Sequence, residues 1–145
     1  MNFLQIKEQR PVNLDNVSTI FVDTDKVIFH FNNARTLKSG VNVPDYLYWN
    51  IESNEAKVYE ELIRDKLNES WLIPNLSDHR YINLENTSSI GYDEKKLKVI
   101  FNFNFSISHP HYSESLIAAY EFWEFGNNER LFNVVKDLLN KTGEE

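Results

Sequence analysis

Residues 10–23 read RPVNLDNVSTIFVD, and residues 80–93 read RYINLENTSSIGYD. Seven of the fourteen positions are identical: Arg, Asn, Leu, Asn, Ser, Ile and Asp. Val12/Ile82, Asp15/Glu85 and Thr19/Ser89 are conservative pairs. Downstream, VIFHFN at Val27–Asn32 meets VIFNFN at Val99–Asn104, with five of six positions retained. YLYWNIESNE at Tyr46–Glu55 meets YEFWEFGNNE at Tyr120–Glu129, with Tyr, Trp, Asn and Glu retained. The offset drifts from 70 to 72 to 74, as small insertions in turns would produce. Matches in the same order with drifting offsets indicate an internal tandem duplication, with copies at about 3–69 and 71–141 of one domain spanning 1–145. A period near 70 with two copies is too long and too short-run for a solenoid.

Each copy reads as strands followed by one helix. Val17–Asp23 leads through the Thr24-Asp25 turn into Val27–Asn32, a hairpin signal. Period-two alternation puts Val27, Phe29 and Phe31 on one face and Ile28, His30 and Asn32 on the other. The Val/Phe/Phe face recurs as Val99, Phe101 and Phe103, so it is the expected core face. A further strand covers about Val43–Glu52 and Ile117–Phe125, with Trp49 and Trp123 as equivalent anchors. Short strands are expected near Phe3–Ile6 and Val12–Leu14, and near Trp71–Ile73 and Ile82–Leu84. Ser53-Asn54 and Asn127-Asn128 supply helix N-cap chemistry, with Glu55 and Glu129 in the first turns. Val58, Tyr59, Leu62, Ile63 and Leu67 follow at helical spacing, as do Leu131, Phe132, Val135, Leu138 and Leu139. The expected class is α+β with antiparallel sheet. One such unit would be only marginally stable alone, so the copies are expected to share a core about a pseudo-twofold axis.

Composition narrows the functions. Aromatic residues reach 14% of the 145 residues, with ten Phe, seven Tyr and three Trp. There is no cysteine, which excludes disulfides and thiolate chemistry. No signal peptide or apolar membrane span is legible, so a soluble cytoplasmic protein is the default expectation. The net charge of −7 divides evenly, −3 before and −4 after residue 70. Such a balance repels phosphate backbones at long range. No Gly-rich phosphate loop, nucleophile elbow, HExxH or CxxC occurs, and no cofactor is implied.

Five groups of residues bear on function. His109 and His111, beside Tyr112 and Glu114, could begin a metal site, but two histidines need one or two further ligands, and a solvated loop is the simpler reading. The retained Asn13/Asn83 and Asn16/Asn86 suit Asx-type turns before a strand. Arg10 and Arg80 would pair with Asp23 and Asp93 or with helix carboxylates, or else hold an anion. Opposite the core face, His30, Asn32, Tyr46 and Tyr48 recur as Asn102, Asn104, Tyr120 and Phe122, a surface of amides and aromatics suited to stacking. Lys26, Arg35, Lys38, Lys95, Lys96 and Lys98 lie near these hairpins and could meet phosphates.

Strands closed by a helix, twice in one chain, resemble the Whirly and Pur-type single-strand nucleic-acid binders at the level of topology. That resemblance implies sheet faces that receive bases, and it carries no residue-level motif. The residues themselves favour a non-enzymatic binding module whose partner is a protein or a second copy of the chain as a dimer. Single-stranded DNA or RNA on the sheet faces is the alternative. No membrane partner is expected.

Overall fold

The computed structural model describes residues 2–73, 79–112 and 114–143. It is α+β, with antiparallel sheets and two helices. The strands are β1 (Phe3–Leu4), β2 (Val12–Asn13), β3 (Val17–Val22), β4 (Lys26–Thr36) and β5 (Asn42–Asn50), followed by helix α1 (Ala56–Lys66). The same order then recurs as β6 (Trp71–Leu72), β7 (Arg80–Asn83), β8 (Thr87–Asp93), β9 (Lys98–Ser108) and β10 (Leu116–Glu124), followed by α2 (Glu129–Gly143).

Local chemistry repeats along with the order. Asn13 Oδ1 accepts the Asp15 N–H at 3.1 Å, and Asn83 Oδ1 accepts the Glu85 N–H at 3.1 Å. Each closes a single turn of 3-10 helix that feeds the long hairpin. Ser18 Oγ donates to the His30 carbonyl and Ser88 Oγ to the Asn102 carbonyl, both at 3.1 Å. Each hairpin carries a register shift at this serine, between Val17 and Thr19 and between Thr87 and Ser89. Trp49 Nε1 donates to the Arg10 carbonyl at 2.9 Å, and Trp123 Nε1 to the Arg80 carbonyl at 3.1 Å. Each indole stands edge-on to a phenylalanine of the adjacent strand, with ring centroids 4.7 Å apart for Phe29–Trp49 and 5.1 Å for Phe101–Trp123.

The alternation read from the sequence sorts the side chains as expected. Val27 and Phe29 are buried with Trp49, Tyr59 and Ile63 in the first core. Val99, Phe101 and Phe103 are buried with Trp123, Phe132 and Leu139 in the second. Two positions of α1 depart from the helical pattern: Val58 and Leu62 stay substantially exposed, while Tyr59 and Ile63 are the residues of the helix buried in the core, with Ala56 packed against it. Leu138 of α2 is likewise exposed. The α1 entry also differs from the Ser53-Asn54 cap. Ser53–Glu55 forms a 3-10 turn, and the Glu55 carboxylate accepts the Glu52 N–H at 3.2 Å. At α2 the expected chemistry is in place, with Asn128 Oδ1 accepting the Leu131 N–H at 3.0 Å.

The sheets divide unequally. One has five strands in the order β5-β4-β3-β7-β6, another has three in the order β10-β9-β8, and β1-β2 form a two-stranded ribbon. The second half therefore gives β7 to the first half's sheet, pairing Thr19 with Ile82, Ile20 with Tyr81 and Phe21 with Arg80. A twofold arrangement would pair β2 with β8 in the same way. Among the described residues β2 pairs with β1 alone and β8 with β9 alone.

Strand β7 reaches both cores because successive side chains on a strand point to opposite faces. Tyr81 is buried in the first core and Ile82 in the second. Asn83 and Asn86 fasten the junction. Their side-chain amides both donate to the Val17 carbonyl at 2.9 Å, and Asn86 also donates to the Asp15 carbonyl at 3.3 Å. Among the described residues no helix is long and apolar enough to cross a membrane.

Candidate interaction surfaces

The polar-aromatic face lies where the alternation puts it. Cross-strand pairing sets Ile28 opposite Tyr48 and His30 opposite Tyr46. Tyr46 and Tyr48 are 43% and 45% exposed and lie nearly parallel, at 19° with centroids 6.3 Å apart. Arg35 sits over the Tyr46 ring at 4.9 Å, and Lys26 over Tyr48 at 4.9 Å. In the second half Asn102 is opposite Tyr120 and Ile100 is opposite Phe122. Lys98 lies over Phe122 at 4.4 Å and is also paired with Glu124 at 3.3 Å.

The eight face residues are not equally accessible. His30 is partly buried in a small cleft of about 50 Å³ between the halves, which it lines with Thr19, Pro44, Phe103 and Tyr120. Its Nδ1 lies 3.2 Å from Thr19 Oγ1. Burial, and secondarily the charge of Arg80, holds the imidazole below its ordinary value of 6.5. Asn32 donates to Asn86 Oδ1 at 3.4 Å, and its own Oδ1 is buried without a hydrogen bond among the described residues. Asn102 donates to Ser89 Oγ at 3.1 Å, and Asn104 is exposed.

The six basic residues divide between the two sheets. Lys26 and Arg35 attend the tyrosines of the first, and Lys98 attends Phe122 of the second. Lys38 lies in the β4–β5 turn. Lys95 and Lys96 form the β8–β9 turn, where their backbone N–H groups donate to Asp93 at 3.1 Å and 3.0 Å. Asp93 is thereby used as a turn cap, and Arg80 pairs instead with Glu121 at 3.6 Å while lying 5.0 Å over the Phe21 ring. Asp23 likewise accepts the N–H of Thr24 at 2.8 Å. Of the partners the sequence offers Arg80, which are Asp93, a helix carboxylate or an anion, Asp93 serves the turn, and the ion pair goes to a carboxylate on β10.

His109 and His111 lie side by side, with ring centroids 5.9 Å apart, and Tyr112 is 5.2 Å from His109. His109 Nδ1 accepts the His111 N–H at 3.0 Å, which takes up one nitrogen of the pair. Among the described residues no three His, Asp or Glu side chains converge as metal ligands.

One surface is not legible in the motifs at all. The outer edge of β8 opens on a groove of about 510 Å³, lined by Leu84, Thr87, Ser88, Ser89, Ile90, Tyr92, Leu139 and Asn140. In the first half the corresponding edge, that of β3, is covered by β7. There Tyr81 is fully buried, its hydroxyl accepts from Arg64 Nε of α1 at 3.3 Å, and burial pushes its pKa up to about 12. His79, just before β7, pairs with Glu60 of the same helix. The groove between β8 and α2 thus occupies the place that β7 fills between β3 and α1. The sequence does hold a trace of this difference. Pro11 aligns with Tyr81, so the two halves differ at the position that in the second lies beside β3.

Comparison with protein-family models, with curated proteins and with solved structures yields no match.

Proposed function

We propose that the chain is an internally duplicated, non-enzymatic protein-interaction module that takes up an extended polypeptide segment along the outer edge of β8. The observation that carries this reading is the contrast between β3, whose edge holds β7, and β8, whose edge holds no strand among the described residues and borders the groove at Ile90 and Tyr92. Strand addition suits such a surface: main-chain hydrogen bonds supply affinity, and alternate side chains enter pockets. The duplication is supported by the repeated serine, asparagine and tryptophan hydrogen bonds, which recur at equivalent positions. In this reading the copies are related head to tail, because the first offers its β3 edge and the second its β7 strand. That relation takes the place of the pseudo-twofold axis.

The test uses the segment that already fills the corresponding place. A synthetic peptide of residues 79–87 should bind the full chain and shift the backbone amide resonances of Thr87–Asp93. No shift at millimolar peptide would sink the reading.

A second reading has its own observation. The parallel Tyr46 and Tyr48 rings, each beneath a cation, form a platform on which unpaired bases could stack, as in the Whirly and Pur-type binders the topology resembles. The net charge of −7 opposes it. Fluorescence anisotropy with mixed-sequence single-stranded oligonucleotides at low salt decides it. Binding that disappears in Tyr46→Ala/Tyr48→Ala supports the platform, and no binding at tens of micromolar protein removes it.

A further inference from the structure

We infer that the occupant of the β8 groove is the β2 segment of a second copy of this chain, so that the junction between the two halves is repeated between molecules. This rests on the reading of β8 as a strand-accepting edge and adds the identity of the segment.

Both faces of the internal junction recur at different places on the chain, and among the described residues neither the outer edge of β2 nor that of β8 has a strand paired to it. The donor face is β7 with Asn83 and Asn86. Its counterpart is β2 with Asn13 and Asn16. Asn13 uses its Oδ1 in the turn, as Asn83 does, but among the described residues neither the Asn13 Nδ2 group nor the Asn16 side chain has a hydrogen-bond partner. A turn alone needs only the Oδ1 of the first asparagine. The second asparagine and both amide N–H₂ groups find their use, in the second half, on the Asp15 and Val17 carbonyls of the first. The acceptor face is β3 with the turn before it. Its counterpart is β8 with Leu84–Asn86, and Leu84 and Thr87 line the open groove. Transferring the internal register sets Val12, Pro11 and Arg10 of one molecule opposite Ser89, Ile90 and Gly91 of the next.

Among the described residues β7 pairs with β3 but β2 does not pair with β8, so the operation relating the halves is not a twofold, and repeating it between molecules does not close a dimer. The contact leaves one free donor and one free acceptor at every stage, and so adds molecules head to tail. Two substitutions make it weaker than the internal junction. Val22 donates to the His79 carbonyl at 3.2 Å, so alternation puts Ile20 and Tyr81 in the hydrogen-bonding set as well. Pro11 in the place of Tyr81 has no N–H to give and leaves the Ile90 carbonyl without its donor. Gly91 in the place of Phe21 gives Arg10 no ring to lie on, unlike Arg80. The contact is therefore a reversible one, populated at high protein concentration.

Sedimentation equilibrium of the full chain tests this. The expected result is a weight-average mass that rises continuously from 17.2 kDa with concentration and shows no plateau at a dimer. Pro11→Asp places a charge in the docking segment, and Ser89→Lys places one on the accepting edge; both positions are exposed in the single chain. Each variant alone should stay at the monomer mass. Mixed, they should form a complex of one to one, because the intact β2 of the Ser89→Lys chain meets the intact β8 of the Pro11→Asp chain. Pro11→Tyr should lower the concentration needed for assembly about tenfold, the worth of roughly one recovered hydrogen bond. A monomer at millimolar wild-type concentration overturns the inference, as does a wild-type assembly that neither variant reduces or a mixture that forms no complex. Binding of the 79–87 peptide by a strictly monomeric wild type would leave the groove intact as a strand acceptor and refute only the self-docking segment.

Discussion

The side-chain amide of Asn83 donates to the Val17 carbonyl at 2.9 Å, joining the two halves, while its Oδ1 accepts the Glu85 N–H at 3.1 Å. Asn13 makes only the second kind of bond, to Asp15. Asn83→Ala should therefore cost about 2 kcal/mol, the turn bond plus one bond across the junction, with the Val17 carbonyl keeping Asn86 as its donor. Asn13→Ala should cost about 1 kcal/mol, the usual worth of a capping side chain. Urea unfolding of both variants measures the difference, and equal losses would show that the junction bond contributes nothing beyond the turn.

The two indoles give a matched pair. Trp49→Phe and Trp123→Phe keep an aromatic ring against Phe29 and Phe101 but remove the N–H that reaches Arg10 or Arg80. Each should lose about 1–2 kcal/mol from the stranded carbonyl and the reduced packing. Chemical denaturation followed by far-ultraviolet circular dichroism gives the values. A loss below a few tenths of a kcal/mol in either would mean that the indole N–H is dispensable there.

His30 should make the fold sensitive to acid. Its folded-state pKa lies below 6.5, through burial first and the Arg80 charge second, so the unfolded chain binds the proton more readily. Stability from this residue is present above pH 6.5 and is lost as the pH falls through the folded value. His30→Asn installs the residue that the second half carries at position 102 and should flatten that part of the profile. The check is the difference in unfolding free energy between pH 8 and pH 5 for the two proteins. Identical differences would dismiss His30 as the titrating group.

Gly91 sits inside β8 with open space around the point where a Cβ would go. Gly91→Ala should stabilise the chain by about 0.5–1 kcal/mol by removing conformational freedom from the unfolded state. Thermal unfolding at low protein concentration, where molecules are single, isolates the effect. A lowered midpoint would reveal a strand geometry that only glycine tolerates.

Much of this architecture is legible from alternation. The buried Val27 and Phe29, their partners Val99 and Phe101, and the exposed Tyr46 and Tyr48 follow from a period of two. The strand pattern was harder to extend. β4 runs on to Thr36 through Asn32, Asn33 and Arg35, polar residues that resemble a loop, because β5 pairs with it beyond a bulge between His30 and Ala34. The start of α1 depends on Glu52 and Glu55, since Ser53 falls inside the 3-10 turn. The partner of β7 was out of reach. A strand of four residues carries too little pattern to specify a neighbour 60 residues away, although Tyr81 beside Ile82, apolar on both faces, marks a strand covered on both sides. The groove follows from that pairing and was hidden with it.

With Tyr81 in one core and Ile82 in the other, adjacent residues of β7 commit the chain to all-or-none behaviour. Peeling β7 away to open either half breaches both interiors, so a partly melted intermediate in which one copy survives has lost an aromatic or an aliphatic side chain from its own core. Unfolding should accordingly be a single cooperative transition, with calorimetric and van't Hoff enthalpies in agreement. The same linkage bears on how such a chain diversifies. The first half cannot be kept without the second, because Trp71 and Tyr81 of the second half sit in the first half's core.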